Sequence, residues 1–309
     1  MENTYIQELM ASGKIKKKRP TKKKVILNTI YYVSGTILSL IFLFPLIYML
    51  ATSTKSEEAY AASAGKLTMF LPDFSNLSTM FDNYAVIFKE FGVWKYALNS
   101  ILYAIIVIIL NILINGLAGY ALSKFTFPGK KLFNFMIMFL IVVPVETSII
   151  PLYSIVKTLL GLNGTLSILG VVLPASISIF NIFLFMQFFK GIPSEYEEAA
   201  RMDGANTIKI FFRLILPLSK PILATVAVFC FIGVWNDYLW PTMILPYAEE
   251  GQWPLYPIQA ALTSIQSIQG ITTGQIMASL VITSLPIFIV YVVAQKYIVQ
   301  GFGSAGLKM

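Results

Sequence analysis

Long apolar segments alternate with shorter polar ones along the 309-residue chain. Charged side chains are absent from four long stretches, at 25–54, 96–123, 158–189 and 251–295. A helix needs about 20 mainly apolar residues to cross the hydrocarbon core of a bilayer. Because lipid offers no partners to backbone N–H and C=O groups, each such segment is expected to be a helix. Six segments meet this requirement: 25–50, 97–122, 132–152, 165–189, 219–241 and 276–299.

Composition favours a lipid environment over an aqueous core. Hydrophobic residues make up 57% of the chain and charged residues only 12%, about half the charged fraction usual in soluble domains. The sequence therefore predicts an all-α integral membrane protein with six transmembrane helices. It has a basic tail at 1–24 and a single membrane domain at 25–309. The prolines within the spans are expected to kink their helices without breaking them: Pro45, Pro144, Pro174 and Pro286.

The basic residues are concentrated near the N-terminus. Residues 25–309 hold 15 basic and 13 acidic side chains, so most of the net charge of +8 belongs to the tail. A basic run beside an apolar span more often fixes topology and contacts anionic lipid than binds nucleic acid. The expected partner of the tail is therefore membrane lipid, and nucleic acid is not expected to bind. Basic residues also follow the second and fourth spans, whereas the fifth loop has only Glu249 and Glu250. The positive-inside rule then predicts a multi-pass protein with six spans and both termini in the cytoplasm.

Several kinds of chemistry are excluded by the residues that are missing. The chain has no histidine and one cysteine, Cys230. This excludes histidine-based acid–base catalysis, Ser-His-Asp triads and histidine-ligated metal sites within this chain. A Gly-rich phosphate loop followed by Lys-Ser or Lys-Thr is also absent, so ATP hydrolysis by this chain is not expected. The sequence predicts no catalytic residue, no metal site and no cofactor of its own.

The segment between the fourth and fifth spans, at 193–217, is itself helix-like. Ser194 followed three residues later by Glu197 is a capping-box pattern. Acidic residues in the first turns complement the helix dipole. Gly204 follows, where a positive φ would let a short helix turn into the next one. An amphipathic helix lying on the membrane surface is the alternative, although three glutamates disfavour contact with anionic lipid.

This segment carries a recognisable motif. Glu198-Ala199-Ala200 is followed after three residues by Gly204 and, after nine more, by Leu214-Ile215-Leu216-Pro217. The pattern resembles the signature of importer permeases of the ATP-binding cassette (ABC) class, which is E-A-A, three residues, G, nine residues and I-x-L-P. Leu214 stands in place of the isoleucine of that signature. The position of the motif in the penultimate cytoplasmic loop also matches that class. The resemblance implies that seven residues couple this chain to an ATPase: Glu198, Ala199, Ala200, Asp203, Gly204, Leu216 and Pro217.

The resemblance extends over about 30–309. Within it, the chain resembles the carbohydrate-uptake group, specifically its shorter, maltose-transporter-like permease, at 180–221, 235–238 and 295–309. One departure is Phe302-Gly303-Ser304, where that permease usually has Leu-Thr-Ala. The resemblance implies import of a sugar or oligosaccharide across the bacterial plasma membrane by alternating access. The implied partners are a second permease, two ATPase subunits that bind ATP and magnesium, and an extracellular sugar-binding protein.

Polar residues in or near the spans are the candidates for the substrate path: Glu146, Asn181, Trp235, Asn236 and Asp237. An ionisable group in a span usually faces a cavity or a partner, but Glu146 also suits the membrane interface. Asn181, like Asn111 and Asn115, suits hydrogen bonding between helices as well as substrate binding. The residues at 235–238 suit either a sugar or an interfacial aromatic belt.

Two other classes of membrane protein fit less well. A stand-alone secondary transporter or channel needs its coupling-ion sites within one chain, often in two repeated halves, and the sequence shows neither. A membrane enzyme is disfavoured by the missing histidine and the lack of a paired acidic site. The sequence therefore predicts a permease subunit without enzymatic activity.

Overall fold

The structure is a computed structural model that describes residues 21–74, 78–249 and 251–306, with side chains as far as Gln295. Most of the predicted tail at 1–24 lies outside the described residues. Helices are the only regular secondary structure within these ranges, which confirms the all-α fold class. In chain order the α-helices are α1 (Lys22–Thr52), α2 (Glu57–Ser63), α3 (Asp82–Lys89), α4 (Val93–Lys124), α5 (Lys130–Val142), α6 (Ile149–Ser154), α7 (Ser167–Ala175), α8 (Ile179–Lys190), α9 (Glu195–Met202), α10 (Thr207–Ile210), α11 (Leu216–Leu218), α12 (Lys220–Asn236), α13 (Leu239–Ile244), α14 (Ile258–Gln266) and α15 (Thr273–Gly306).

Three helices in the described part of the chain are long and apolar enough to cross a membrane unbroken. They are α1, α4 and the Thr273–Gln295 part of α15. Three further helix pairs reach this length only together and are bent: Lys130–Val142 with Val145–Leu159 by 100°, Gly164–Ala175 with Ile179–Lys190 by 43°, and Thr207–Leu218 with Lys220–Asn236 by 83°. By length and composition the described residues therefore offer three to six spans.

The expectation that every span is one continuous helix is wrong for 132–152 and 165–189, where the helix pairs are bent, and for 219–241, where α12 ends at Asn236. In the first of these the helix stops before Pro144. Val143 has extended backbone angles, φ −76° and ψ 122°, because a following proline disfavours the helical conformation. The other predicted prolines lie inside helices, as expected: Pro45, Pro174 and Pro286.

The break between α7 and α8 is held by a side chain of α4. Asn115 Nδ2 donates to the carbonyl oxygen of Ser176 at 3.0 Å, and Asn115 Oδ1 accepts from the backbone N–H of Ser178 at 3.3 Å. Backbone groups freed by a break in a span need such partners, since lipid supplies none. The expectation that Asn115 bonds to a neighbouring helix is confirmed.

The predicted span 219–241 is interrupted near its far end. Helix α12 ends at Asn236, and Asp237 adopts extended angles, φ −73° and ψ 117°. The Asp237 carboxylate then accepts from the backbone N–H of Trp240 at 3.3 Å. A short acidic side chain favours this role at the start of a helix, so Asp237 separates α12 from α13.

Helix α4 lies at the centre of the bundle, packed against α8 and α12. Gly119 permits the closest approach. A Cβ atom at Gly119 would lie 2.6 Å from Phe185 Cβ and 2.9 Å from the backbone nitrogen of Met186. Only a residue without a side chain lets α4 and α8 meet at this distance.

Helix α1 is packed differently from the rest. None of its most apolar 18-residue window is buried against the described residues. Beyond its end, the connection to α4 is folded around Lys55, whose ammonium donates to Ser63 Oγ at 3.1 Å and to the carbonyls of Thr68 and Met69 at 2.9 and 3.2 Å. Burial lowers the pKa of Lys55, while the charge of Asp73 acts in the opposite direction.

Candidate functional site

The motif residues at 198–204 form an exposed edge of α9 and the turn after it. Glu198, Ala199, Asp203 and Gly204 are exposed, whereas Ala200 is half-buried. Large apolar side chains lie exposed beside them, with Tyr196 at 53% and Met202 at 88% exposure. The edge combines small residues, an acidic group and uncovered apolar surface, a combination typical of a protein contact.

The turn after α9 depends on Gly204. Its φ is +75°, which confirms the positive angle expected from the sequence. Helix α9 closes there with two backbone hydrogen bonds, from Gly204 N–H to Arg201 O at 2.9 Å and from Ala205 N–H to Ala200 O at 3.0 Å. A Cβ atom at Gly204 would meet nothing within 4 Å. The backbone angle, and not lack of space, therefore favours glycine here.

The predicted capping box is wrong. Ser194 is the residue before α9, but its side chain makes no capping hydrogen bond. Glu197, the other half of the expected box, is only 6% exposed. Its carboxylate is held by side chains of α4.

Two residues one turn apart on α4 bind that carboxylate. Tyr120 Oη donates to Glu197 Oε2 at 2.8 Å, and Lys124 Nζ lies 3.3 Å from Glu197 Oε1. Lys124 also donates to the carbonyl oxygen of Ile192, just before α9. Sequence reasoning treated Glu197 as a dipole-complementing residue and missed this contact. The i, i+4 spacing of Tyr120 and Lys124 at the end of a span was the available signal.

The second half of the motif segment is anchored in the core. Phe211 and Ile215 are fully buried, and the Phe211 ring lies 5.4 Å from the ring of Tyr120. Leu216 is half-buried and Pro217 is exposed. Pro217 was expected to end the segment, but it lies within α11. The helix changes direction two residues later, at Ser219, whose hydroxyl donates to Ile215 O at 2.6 Å.

A cavity of about 280 Å³ lies between α4, α7, α8 and α12. Asn111 and Asn181 are its buried polar groups, and Asn181 Nδ2 donates to Asn111 Oδ1 at 3.0 Å. The Nδ2 atom of Asn111 has no hydrogen-bond partner within the described residues. The rest of the lining is mainly aliphatic and aromatic, and it includes Tyr103, Phe180, Phe229 and the carboxylate of Asp237.

Of the five predicted path residues, the structure brings Asn181 and Asp237 together at this cavity. The other three lie elsewhere. Trp235 is fully buried, and its Nε1 donates to the carbonyl oxygen of Thr283 at 2.9 Å. Asn236 is exposed and accepts from Gln259 Nε2 at 3.5 Å. Glu146 is exposed at the break between α5 and α6.

The family model for binding-protein-dependent transport system inner membrane components matches residues 116–304. This is more than half of the chain, and it includes α9 and the turn after it. The chain belongs to this family and is a multi-pass membrane permease of an ABC importer. It is a transport subunit and not an enzyme.

Individual relatives cover most of the chain. It is 28% identical to the arabinooligosaccharides transport system permease protein AraQ of Halalkalibacterium halodurans, over 93% of this chain and 99% of that protein. It is 32% identical to the diacetylchitobiose uptake system permease protein NgcG of Streptomyces coelicolor, over 84% and 82%. It is 37% identical to the sn-glycerol-3-phosphate transport system permease protein UgpE of Pectobacterium atrosepticum, over 66% and 70%.

A solved structure has a similar fold. It is the crystal structure of a bacterial ABC transporter involved in the import of the acidic polysaccharide alginate. The match has a TM-score of 0.73 and 26% sequence identity, and it covers 91% of this chain and 99% of the other.

Proposed function

We propose that this chain imports a sugar or oligosaccharide across the plasma membrane of a bacterium by alternating access. Three of the relatives described above carry carbohydrate names in their descriptions, for arabinooligosaccharides, diacetylchitobiose and alginate. The mixed lining of the cavity supports the same substrate class. Sugar CH faces pack on aromatic rings such as Phe180 and Phe229, while hydroxyls need polar partners such as Asn181 and Asp237.

We propose six spans with both termini in the cytoplasm. The first two bent pairs each make one crossing, and α12 with α13 makes the fifth span, while residues 207–218 stay on the cytoplasmic side. Lys124, Lys130 and Lys190 then lie at cytoplasmic ends, together with α9. Glu249 lies outside. The distribution of basic residues supports this orientation through the positive-inside rule.

We propose that α9 is the coupling helix and docks on an ATPase subunit. Glu198 offers a carboxylate to a cationic group, and Ala199 and Ala200 leave room for close approach. Asp203 and Gly204 form the turn, and Leu216 and Pro217 carry the motion into α12. The observation that carries this proposal is the exposed edge at 198–204, which lies between the anchors at Glu197 and Phe211.

The remaining partners follow from the surfaces left uncovered. The exposed apolar face of α1 supports a second permease and membrane lipid as its neighbours. The family description supports an extracellular binding protein, which for this chain would carry a sugar. ATP and magnesium would bind to two ATPase subunits and not to this chain. Nucleic acid has no place in this assembly.

Co-purification tests the proposal directly. Mild solubilisation followed by mass spectrometry should recover a second permease and an ATPase with this chain. The reconstituted complex, with its binding protein, should show ATPase activity stimulated by one member of a panel of arabinooligosaccharides, diacetylchitobiose, alginate oligosaccharides and sn-glycerol 3-phosphate. Stimulation by sn-glycerol 3-phosphate alone would contradict the sugar assignment.

A variant pair tests the docking role. Glu198→Ala removes one member of an expected charge pair in a partly desolvated interface, which costs about 2–5 kcal/mol. It should release the ATPase on purification or abolish stimulation. Glu195→Ala, at an exposed acidic residue on the same helix, is the matched control and should retain both. Equal behaviour of the two variants would contradict the docking role of Glu198.

A further inference from the structure

Glu197 occupies an unusual place on the proposed coupling helix. Three glutamates lie in the first turns of α9, and only Glu197 is buried, while Glu195 and Glu198 are exposed. A buried carboxylate needs a paired charge and hydrogen bonds to its oxygens. Glu197 Oε2 accepts from Tyr120, whereas Oε1 is paired in charge with Lys124 at 3.3 Å and accepts no hydrogen bond within the described residues. Both partners, Tyr120 and Lys124, lie on the last turns of α4. The coupling helix is therefore bound to a helix far back in the chain, because Tyr120 and Glu197 are 77 residues apart. Lys124 also holds the residue Ile192 just before α9, 68 residues away.

Tyr120 is itself held rigidly. It is 2% exposed, with its ring 5.4 Å from Phe125 and from Phe211 and 6.2 Å from Phe189. Phe211 belongs to the second half of the motif segment. Tyr120 thus contacts the segment on both sides of the Gly204 turn, through its hydroxyl on one side and its ring on the other.

The same helix lines the cavity. Tyr103, Val107 and Asn111 of α4 face the cavity between the helices, and α4 runs without a break from Val93 to Lys124. Asn111 and Tyr120 are nine residues apart, which is about 14 Å along a helix. A displacement of the end of α4 therefore reaches the cavity through one continuous helix.

We propose that Glu197, with Tyr120 and Lys124, is a positioning cluster that fastens the coupling helix to α4. Through it, movement imposed on α9 by the ATPase displaces α4 and the cavity residues that α4 carries. The inference rests on the proposed docking of α9 and adds the route by which the motion reaches the cavity. It assigns Glu197 an inward role, distinct from the outward docking role of Glu198.

Three variants test the cluster in the reconstituted complex: Glu197→Gln, Lys124→Met and the double variant. The quantity measured is the amount of transported compound per ATP hydrolysed, with the compound of the panel that stimulates the wild-type ATPase activity. Each single variant should lower this ratio by about tenfold, which is within the usual range of coupling between sites. The double variant should lose no more than either single one, because both changes remove the same contact. Glu195→Gln is the matched control and should keep the wild-type ratio. A purely structural role would reduce the yield of complex and leave this ratio unchanged.

A distance measurement in the reconstituted complex provides a second test, which needs ATP, magnesium and vanadate but no transported compound. Spin labels at Ser194, directly before α9, and at Leu117 on α4, both exposed, report whether the two helices move together. In the wild-type background the distance should stay constant when ATP, magnesium and vanadate are added. In Glu197→Gln it should change, and in Glu195→Gln it should not.

The outcomes separate this inference from the proposed function. Absence of stimulated ATPase activity in the wild-type complex would overturn the proposed function before any variant is made. A wild-type transport ratio in Glu197→Gln would overturn the fastening role alone. Loss of the ATPase subunit from Glu197→Gln on purification would do the same, since it would make Glu197 part of the docking surface. A distance that changes in the wild type would show that α9 and α4 move separately.

Discussion

Asn181 Nδ2 donates to Asn111 Oδ1 at 3.0 Å, and this bond joins α8 to α4 at the cavity. Both side chains are almost fully buried, and Cys230 Sγ lies 3.5 Å from the same Asn181 nitrogen. The bond leaves Asn111 Nδ2 without a partner in the described part of the chain. A buried, unpaired amide is costly. Transport of a hydroxylated substrate past this point would give Asn111 the missing partner.

Asn181→Ala should impair transport while assembly persists. The change removes the donor to Asn111 Oδ1, so that both polar atoms of this buried amide lack a partner among the described residues. Leaving the oxygen unpaired costs about 1–3 kcal/mol. Asp237→Ala should act in the same direction, since Asp237 also lines the cavity. Uptake kinetics of the reconstituted complex, with the retained ATPase as a measure of assembly, give the test.

The control for this prediction is Asn163→Ala, at an exposed amide outside the cavity. Its uptake kinetics should match the wild type. Glu146→Ala separates two roles for a third predicted residue, because Glu146 does not line the cavity. Altered transport in Glu146→Ala would favour a second part of the path, at the break in the third span. Wild-type kinetics in Asn181→Ala and Asp237→Ala would show that these residues only pack the helices.

Much of the fold could be predicted from hydrophobic patterning, and the reason is the bilayer itself. The segments that became α1, α4 and α15 are long, apolar and unbroken. The breaks were less accessible. Pro144 interrupts a helix whereas Pro45 does not, because the outcome depends on which neighbours satisfy the freed backbone groups. That information is tertiary and is absent from the local sequence.

The site was predictable to a similar extent. The positive φ of Gly204 followed from a glycine between two helical patterns, and the structure confirms it. Glu197 was placed wrongly, because a capping box and an inward ion pair have the same local sequence. Only the fold brings Lys124 to the start of α9. For Trp235, an aromatic belt residue and a buried one likewise look alike in sequence until its hydrogen bond to Thr283 is seen.

The proposed topology predicts the accessibility of two exposed residues, Gln252 and Lys209. A cysteine at Gln252 should react with an impermeant thiol reagent added outside intact cells. A cysteine at Lys209, beyond the coupling helix, should react only after the membrane is opened. The native Cys230 is buried, so its background reaction should be small. Reversed labelling would contradict both the topology and the proposed docking of α9.

Gly119→Ala should weaken the packing of α4 against α8. The new methyl group would lie 2.6 Å from Phe185 Cβ and 2.9 Å from a backbone nitrogen, so the helices must separate. Overpacking of this kind costs about 1–3 kcal/mol. The expected result is a lower midpoint of thermal unfolding in detergent. Gly35→Ala is the control, since a Cβ atom there meets nothing within 4 Å, and it should not lower the midpoint. Equal midpoints for the two variants would show that α4 and α8 can separate at little cost.

Gly204→Val should uncouple ATP hydrolysis from transport, and the structure specifies why. The site has room for a side chain, but φ is +75°, a conformation that costs a β-branched residue about 1–3 kcal/mol. Gly204→Asn should therefore retain most of the coupling, because asparagine tolerates this conformation. Gly129→Val, at another open glycine with a positive φ of +84° outside the motif segment, controls for backbone strain alone and should retain coupling. Stimulated ATPase activity and transport of the reconstituted complex provide the measurement. If asparagine and valine at position 204 impair coupling equally, an ATPase surface fills the open space beside Gly204, and steric exclusion rather than backbone strain explains the glycine.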